Sequence, residues 1–230
     1  MQVIAKIRNA FPTKFGLPRQ SGLVPELTST IVFEPEFRVA EALRGIESYS
    51  HLWLIWQFHE AHRGSEKNGG DAPWKPTVRP PRLGGNTRMG VFATRSPFRP
   101  NPLGLTVVKL LAVEDSAEGK VLIVSGADMM DGTPIYDIKP YLPYVDSVPE
   151  AVGGFTDEKA GYHLKVDFPG ELLGRVPKEM QETLLGALAQ DPRPAYQHDE
   201  NRVYGLPYGS VDVKFKVQGD TLTVVDVLEA

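Results

Sequence analysis

The chain has no cysteine among its 230 residues. A thiolate nucleophile, a disulfide framework and a Cys-ligated zinc are thereby excluded, and a cytoplasmic location is the expectation that follows. Long apolar runs are missing too. The most extended, 52–58 and 103–108, fall well short of the roughly 20 residues that a membrane-spanning helix needs. The N-terminal run is broken by Lys6 and Arg8 and has no signal-peptide core, so neither a leader nor a membrane partner is expected. No Gly-x-Gly-x-x-Gly links a strand to a helix and no Walker loop occurs, which argues against a Rossmann or P-loop nucleotide site. Finally, acid is missing from one long stretch. Residues 72–113 carry Lys75, Arg79, Arg82, Arg88, Arg95, Arg99 and Lys109 with no Asp or Glu, although the whole protein has a formal net charge of -4.

Within that stretch lies Thr94-Arg95-Ser96-Pro97-Phe98-Arg99-Pro100-Asn101-Pro102, whose prolines fix φ and keep the backbone out of helix and sheet interiors. A guanidinium fork held on such a stiffened loop suits carboxylates, phosphates and stacked bases. A second basic island, residues 1–25, holds Lys6, Arg8, Lys14 and Arg19 without an acid. The two islands are expected to share a face toward an anionic or nucleic-acid ligand, while the acidic remainder limits indiscriminate binding. His59-Glu60-Ala61-His62 imitates a zinc-protease signature, but its histidines are three apart rather than four, so no metal is expected. His51 reads as a satisfied structural histidine.

Periodicity outlines a mainly β chain. Strands are predicted at 2–8, 27–33, 51–58 (apolar on both faces), 89–94, 104–113 and 120–125, with a polar hairpin connection over 114–119. Pro35 and Gly45 bracket a predicted helix over 36–44. Residues 9–25 form a long loop, of a length more often functional than idle. With so little helix among antiparallel neighbours, residues 1–149 read as a β-barrel or strongly curved sheet. Residues 150–230 read as a small α+β unit: a strand at 162–168, a helix at 177–190 and a hairpin of 211–217 and 222–228 about Gln218-Gly219-Asp220. Gly205-Leu206-Pro207-Tyr208-Gly209 reads as a turn.

Several segments, taken in order, carry a resemblance: Phe15-Gly16-Leu17-Pro18-Arg19-Gln20, Ser50-His51-Leu52-Trp53, Arg79-Pro80-Pro81-Arg82-Leu83-Gly84-Gly85-Asn86, the arginine–proline run with its flanks over 90–104, Asp131-Gly132-Thr133-Pro134, Asp137-Ile138-Lys139-Pro140-Tyr141-Leu142-Pro143-Tyr144, and Gln190-Asp191-Pro192-Arg193-Pro194-Ala195-Tyr196. They closely resemble the TsaA-like (TrmO) family over nearly the full chain. The resemblance implies an S-adenosylmethionine-dependent methyltransferase acting on N6 of threonylcarbamoyl-adenosine at position 37, beside the tRNA anticodon. It further implies a single-sheet antiparallel β-barrel catalytic domain, a smaller C-terminal domain, and a homodimer with its sites near the subunit interface.

By the same resemblance the cofactor pocket is built from Arg19, Gln20, Ser21, Gly22, Phe58, His59, Arg95, Leu105, Met129, Met130, Asp131 and Gly132. Asp131 and Arg95 are the expected catalytic residues, with Asp131 the first candidate for proton acceptor and a backbone carbonyl the alternative; Asp131 or Gln20 holds the cofactor's ammonium or ribose, Arg95 its carboxylate or the substrate's, and Leu105 with Met130 covers the adenine or methionine chain. Arg99, Asn101, Lys139 and Tyr141 are the expected substrate contacts, Arg99 or Lys139 reading the threonylcarbamoyl carboxylate. Tyr141, Tyr144 and Phe98 either stack on a base or pack at the rim. Two other classes stay open at this point: a non-enzymatic RNA-binding barrel, and a hydrolase built on His59, Glu60 and His62.

Overall fold

The computed structural model describes residues 1–60, 74–80, 87–159, 161–193 and 199–229. In chain order the strands and helices are β1 (Ala5–Arg8), β2 (Thr28–Phe33), β3 (His51–Gln57), β4 (Thr77–Val78), β5 (Met89–Gly90), β6 (Leu103–Ser116), β7 (Gly119–Ser125), β8 (Pro134–Pro140), α1 (Pro143–Asp146), β9 (Lys165–Asp167), α2 (Gly170–Leu173), α3 (Lys178–Ala189), β10 (Tyr204–Tyr208), β11 (Val211–Gln218) and β12 (Thr221–Glu229).

The large sheet is antiparallel throughout and runs β1-β2-β7-β6-β3-β8. Its last strand returns to the first through Ala5↔Ile135 and Lys6↔Pro134, closing the ring. Period-two alternation fills the interior: Ala5 and Ile7, Leu52, Leu54 and Trp56, Leu122 and Val124 are buried and pack with Ile31, Phe33, Val108, Met129 and Ile135. The predicted hairpin between β6 and β7 is tighter than its polar composition suggested, since β6 continues to Ser116, opposite Gly119. In β3 only one face is fully buried. Its other face, with Trp53, is half-covered by Tyr141 (5.8 Å between ring centroids) and by Asp146, which accepts the Trp53 Nε1–H at 2.9 Å.

Three sequence expectations need correction. The segment 36–44 is not an α-helix but short 3-10 turns at Pro35–Phe37 and Ala40–Leu43. Extended Val39 (φ -108°, ψ 113°) separates the turns, and Arg38 is held by its own Nε–H on the Phe33 carbonyl (2.9 Å) instead of continuing a helix. The bracketing residues behave as expected, Pro35 opening the first turn and Gly45 taking a left-handed φ of 88°. Residues 89–94 pair only at Met89–Gly90 before coiling into another 3-10 turn at Val91–Ala93. Gly205-Leu206-Pro207-Tyr208 is not a turn but the edge strand β10, where Pro207 faces Asp212. Strand β8 was not foreseen, because Pro134, Asp137, Lys139 and Pro140 punctuate it like a loop.

The C-terminal sheet runs β10-β11-β12-β9, with β9 parallel to β12. One face of α3, through Thr183, Leu184, Ala187 and Leu188, is buried on this side. The core there includes Leu206, Val213, Phe215 and Leu222, and also Phe11, Val24 and Leu27 from the N-terminal loop. That loop is tied down by hydrogen bonds as well, Gly209 N–H to the Ala10 carbonyl (2.7 Å) and Thr183 Oγ1–H to the Glu26 carbonyl (2.8 Å). The loop between β1 and β2 is therefore sandwiched between barrel and C-terminal sheet.

Candidate active site

One end of the barrel is assembled from the start of β6, the end of β3 and the loop after β7. Gly104, facing Trp56 across the β3–β6 ladder, is required there: a Cβ on it would lie 2.1 Å from Trp56 Cε2. The indole thus settled, its Nε1–H donates to Thr106 Oγ1 (2.9 Å), and the Thr106 hydroxyl donates to Asp128 Oδ1 (2.7 Å). Asp128 is half-buried. Burial pushes its carboxyl above the usual carboxylate range, opposed by the Thr106 hydroxyl, the positive charge of Arg95 and the Ser21 amide.

The 19–22 loop is held beside this acid by main chain. Gly22 N–H donates to the Gly126 carbonyl (2.9 Å), and a Cβ on Gly126, whose φ is 78°, would come within 3.3 Å of the Gly22 backbone. On the same loop, Gln20 Oε1 accepts from Arg95 Nη1 at 2.5 Å. Gln20, Ser21, Arg95, Thr106 and Asp128 thus form one polar cluster above an aromatic floor, where Trp56 meets Phe58 at a centroid distance of 4.3 Å. A carboxylate, a guanidinium and an amide at the mouth of an apolar barrel can bind a zwitterion with an organic body.

The remaining expected residues are distributed as follows. Arg19 Nη2 donates to the carbonyls of Asp191 (3.0 Å) and Arg193 (3.2 Å), so it reaches the C-terminal half. Met129 is buried in the barrel core, which removes its side chain from any pocket, and its carbonyl accepts from Asn9 Nδ2 (2.8 Å). Met130 and Gly132 form a turn closed by Thr133 N–H and Oγ1–H on the Met130 carbonyl (3.2 and 2.8 Å). Asp131 belongs to that turn; its Oδ1 accepts the Asn9 amide (3.1 Å) and its own N–H goes to the Phe11 carbonyl (2.8 Å), so its described bonds fasten the end of β1. The acid that feels the charge of Arg95 is Asp128, which sequence reasoning passed over. Its signal was an isolated acid in the otherwise small and apolar run Ser125-Gly126-Ala127-Asp128-Met129-Met130.

Leu105 faces away from Thr106 and is 57% exposed on the outer wall. His59 Nε2 lies 3.9 Å from Glu60 Oε1, and among the described residues no cluster of His, Asp and Glu is arranged to hold a metal. Arg99 is a clamp for its own loop, Nη2 donating to the carbonyls of Val91 (3.1 Å) and Thr94 (2.9 Å), and with Asn101, Phe92 and Leu103 it lines a shallow hollow. Lys139 is ion-paired with Asp137 (2.7 Å), and Tyr141 lies edge-on to His51 at 6.3 Å. These two sit toward the His51 end of β3, Lys139 opposite Trp53 and Tyr141 beside His51, about 13 and 20 Å along the strand from Gln57. Of the N-terminal basic island, Lys6 and Arg8 are instead neutralised by Glu34 (3.0 Å) and Glu118 (2.6 Å), and the 19–22 loop is the part that meets Arg95. Arg82, Gly84-Gly85-Asn86, His62 and Pro194-Ala195-Tyr196 lie outside the described residues.

Residues 6–147 match the model of the tRNA-methyltransferase O N-terminal domain, and 163–230 that of the TrmO C-terminal domain. The chain belongs to the TrmO family. It is 40% identical over 222 residues to the tRNA (adenine(37)-N6)-methyltransferase of Escherichia coli strain K12, covering 93% of this chain and 91% of that one. At 40% identity over 233 residues, 97% of this chain and 95% of the other, it resembles a Pseudomonas aeruginosa protein provisionally named an S-adenosylmethionine-dependent methyltransferase. The crystal structure of TrmO from Pseudomonas aeruginosa superposes with a TM-score of 0.76 at 34% identity, spanning 98% of this chain and 96% of that chain. The TrmO family thus accounts for both halves. Among the described residues, no helix is long and apolar enough to cross a membrane.

Proposed function

We propose that this TrmO-family chain methylates N6 of adenine 37 in tRNA with S-adenosylmethionine as donor, at the Gln20–Arg95–Asp128 cluster. The observation that carries the assignment of the site is the 2.5 Å Gln20–Arg95 contact beside the half-buried, Thr106-bonded Asp128. The donor is a zwitterion with a cationic sulfonium, and the cluster offers it a matched set: Arg95 for the carboxylate, Asp128 for positive charge, Trp56 and Phe58 as an apolar floor. S-adenosylmethionine supplies an electrophilic methyl group.

The chain's contribution is alignment, which for such a displacement provides most of the acceleration. The acceptor nitrogen must also lose a proton. We assign that proton to Asp128, whose carboxyl burial raises above its ordinary value, in preference to Asp131, whose described bonds are structural. We assign this chemistry to the β-barrel of residues 1–149 and treat 150–230 as the smaller α+β domain. The threonylcarbamoyl form of adenosine is the proposed acceptor, read through its carboxylate by a cation of the arginine–proline loop. A cytoplasmic homodimer, in which the exposed Leu105 meets a second subunit, completes the reading.

The test is incubation of the protein with labelled S-adenosylmethionine and tRNA prepared with or without the threonylcarbamoyl group, followed by nucleoside mass analysis. Methylation of modified tRNA alone supports the full reading. Methylation of both tRNAs refutes the recognition of the modification, and tRNA binding without methyl transfer refutes the enzyme.

A further inference from the structure

We infer that Asp191 and Arg193 of the C-terminal half are positioning residues for the donor pocket, acting through Arg19 on Gln20. The inference rests on the pocket reading above. Arg193 and Asp191 form a bidentate pair, Nε to Oδ1 at 2.8 Å and Nη2 to Oδ2 at 2.9 Å, and their side chains are only 11% and 13% exposed. Tyr162 Oη donates to the same carboxylate at 3.2 Å. Asp191 itself is the one described non-glycine residue with positive φ, 52°. Left-handed backbone in a residue with a Cβ persists where its surroundings over-determine it. Here the fork of Arg193 does so, and the outcome is that the carbonyls of Asp191 and Arg193 converge on one guanidinium nitrogen, Nη2 of Arg19.

The residue after Arg19 is Gln20, whose Oε1 holds Arg95 and whose Nε2 turns back to the Arg19 carbonyl (2.5 Å). The 19–22 loop is therefore moored at both ends. Gly22 fixes one end to the barrel at Gly126, and Arg19 fixes the other to the C-terminal turn. If the second were released, the Gln20 amide would have a rotating support, and the geometry it imposes on Arg95 would be lost without any change to the groups that touch the donor. Asp191 and Arg193 thereby affect donor binding through Arg19, without a described contact of their own to Gln20, Arg95 or Asp128.

The experiment is a double-mutant cycle in the full chain, read as calorimetric affinity for S-adenosylmethionine, with variants Arg19→Met, Gln20→Ala and the two combined. Gln20→Ala is expected to weaken binding about tenfold and Arg19→Met about fivefold, while the combined variant is no weaker than Gln20→Ala alone. Asp191→Asn, which tolerates a left-handed backbone, is expected to reproduce Arg19→Met and to add nothing on top of it. Each variant's thermal midpoint is recorded, because a general loss of stability would lower it without producing this non-additivity. Unchanged affinity in Arg19→Met with a weakened Gln20→Ala, or losses that multiply independently, overturns the positioning role. Unchanged affinity in Gln20→Ala overturns the pocket reading instead.

Discussion

Thr106→Val tests the acid directly, since it removes one hydroxyl and little volume from a residue only 2% exposed. That hydroxyl donates to Asp128 and accepts from Trp56, so the substitution strips the carboxylate of a donor and orphans the indole N–H. A hydrogen bond to a charged group is worth about 1.5–3 kcal/mol, and the Thr106 hydroxyl is the largest influence holding the Asp128 carboxyl down, so the already raised carboxyl is expected to rise further. The sign for stability follows. A carboxyl whose folded-state pKa exceeds its unfolded value stabilises the fold below the unfolded pKa, and that contribution disappears as pH rises through the folded pKa. Thr106→Val must therefore destabilise the protein more at pH 8 than at pH 5, in addition to a pH-independent cost of about 1–3 kcal/mol for the unpaired indole. The assay is twofold: denaturant unfolding at both pH values, and the pH profile of kcat/KM for methyl transfer. The acid limb of that profile should move up with the Asp128 carboxyl, and Thr106→Ser should restore it. An unmoved acid limb together with a pH-independent loss of stability would refute the assignment of Asp128.

Other expectations can be checked in parallel. Asp128→Asn should lower kcat at least about 100-fold, whereas Asp131→Asn, which keeps an acceptor for the Asn9 amide, should stay within a few-fold of wild type in a single-turnover assay. Arg95→Ala should weaken S-adenosylmethionine binding about 10- to 100-fold by calorimetry, as expected for loss of a charged hydrogen bond, while leaving the melting temperature nearly unchanged because the side chain is exposed. Gly104→Ala forces a methyl into the Trp56 ring; a cost of about 1–3 kcal/mol, or roughly 2–12 °C in Tm, should appear in a thermal melt.

Sequence periodicity located β1, β2, β3, β6, β7, α3 and the β11–β12 hairpin because each carries its own alternation or helical stripe with a turn residue at its end. It failed where tertiary contacts overrode local signals. Strand β8 is built from turn-like residues yet is zipped between β1 and β3. Similarly, 36–44 has helix brackets, but its short turns are pinned to the end of β2. At the site, motif resemblance pointed to the 19–22 loop and Arg95, which the fold brings together. It also pointed to the Asp131 turn and passed over Asp128, because an Asp-Gly pair stands out in a sequence and a half-buried carboxylate bonded to a threonine does not. The role of the 9–27 loop as filling between two sheets depends on contacts across more than 150 residues, such as Thr183 with Glu26, and no local pattern encodes those.

A closed ring offers no free flank for a neighbouring molecule's backbone to extend, so the barrel is guarded against fibril-like growth. It nevertheless has a seam. The shortest ladder in the ring is the one between β1 and β8, two residue pairs, one of which places Pro134, without an amide hydrogen, opposite Lys6. Breathing of the cylinder would begin there, and amide deuteration would mark the β1–β8 join well before the long β6–β7 staves exchange.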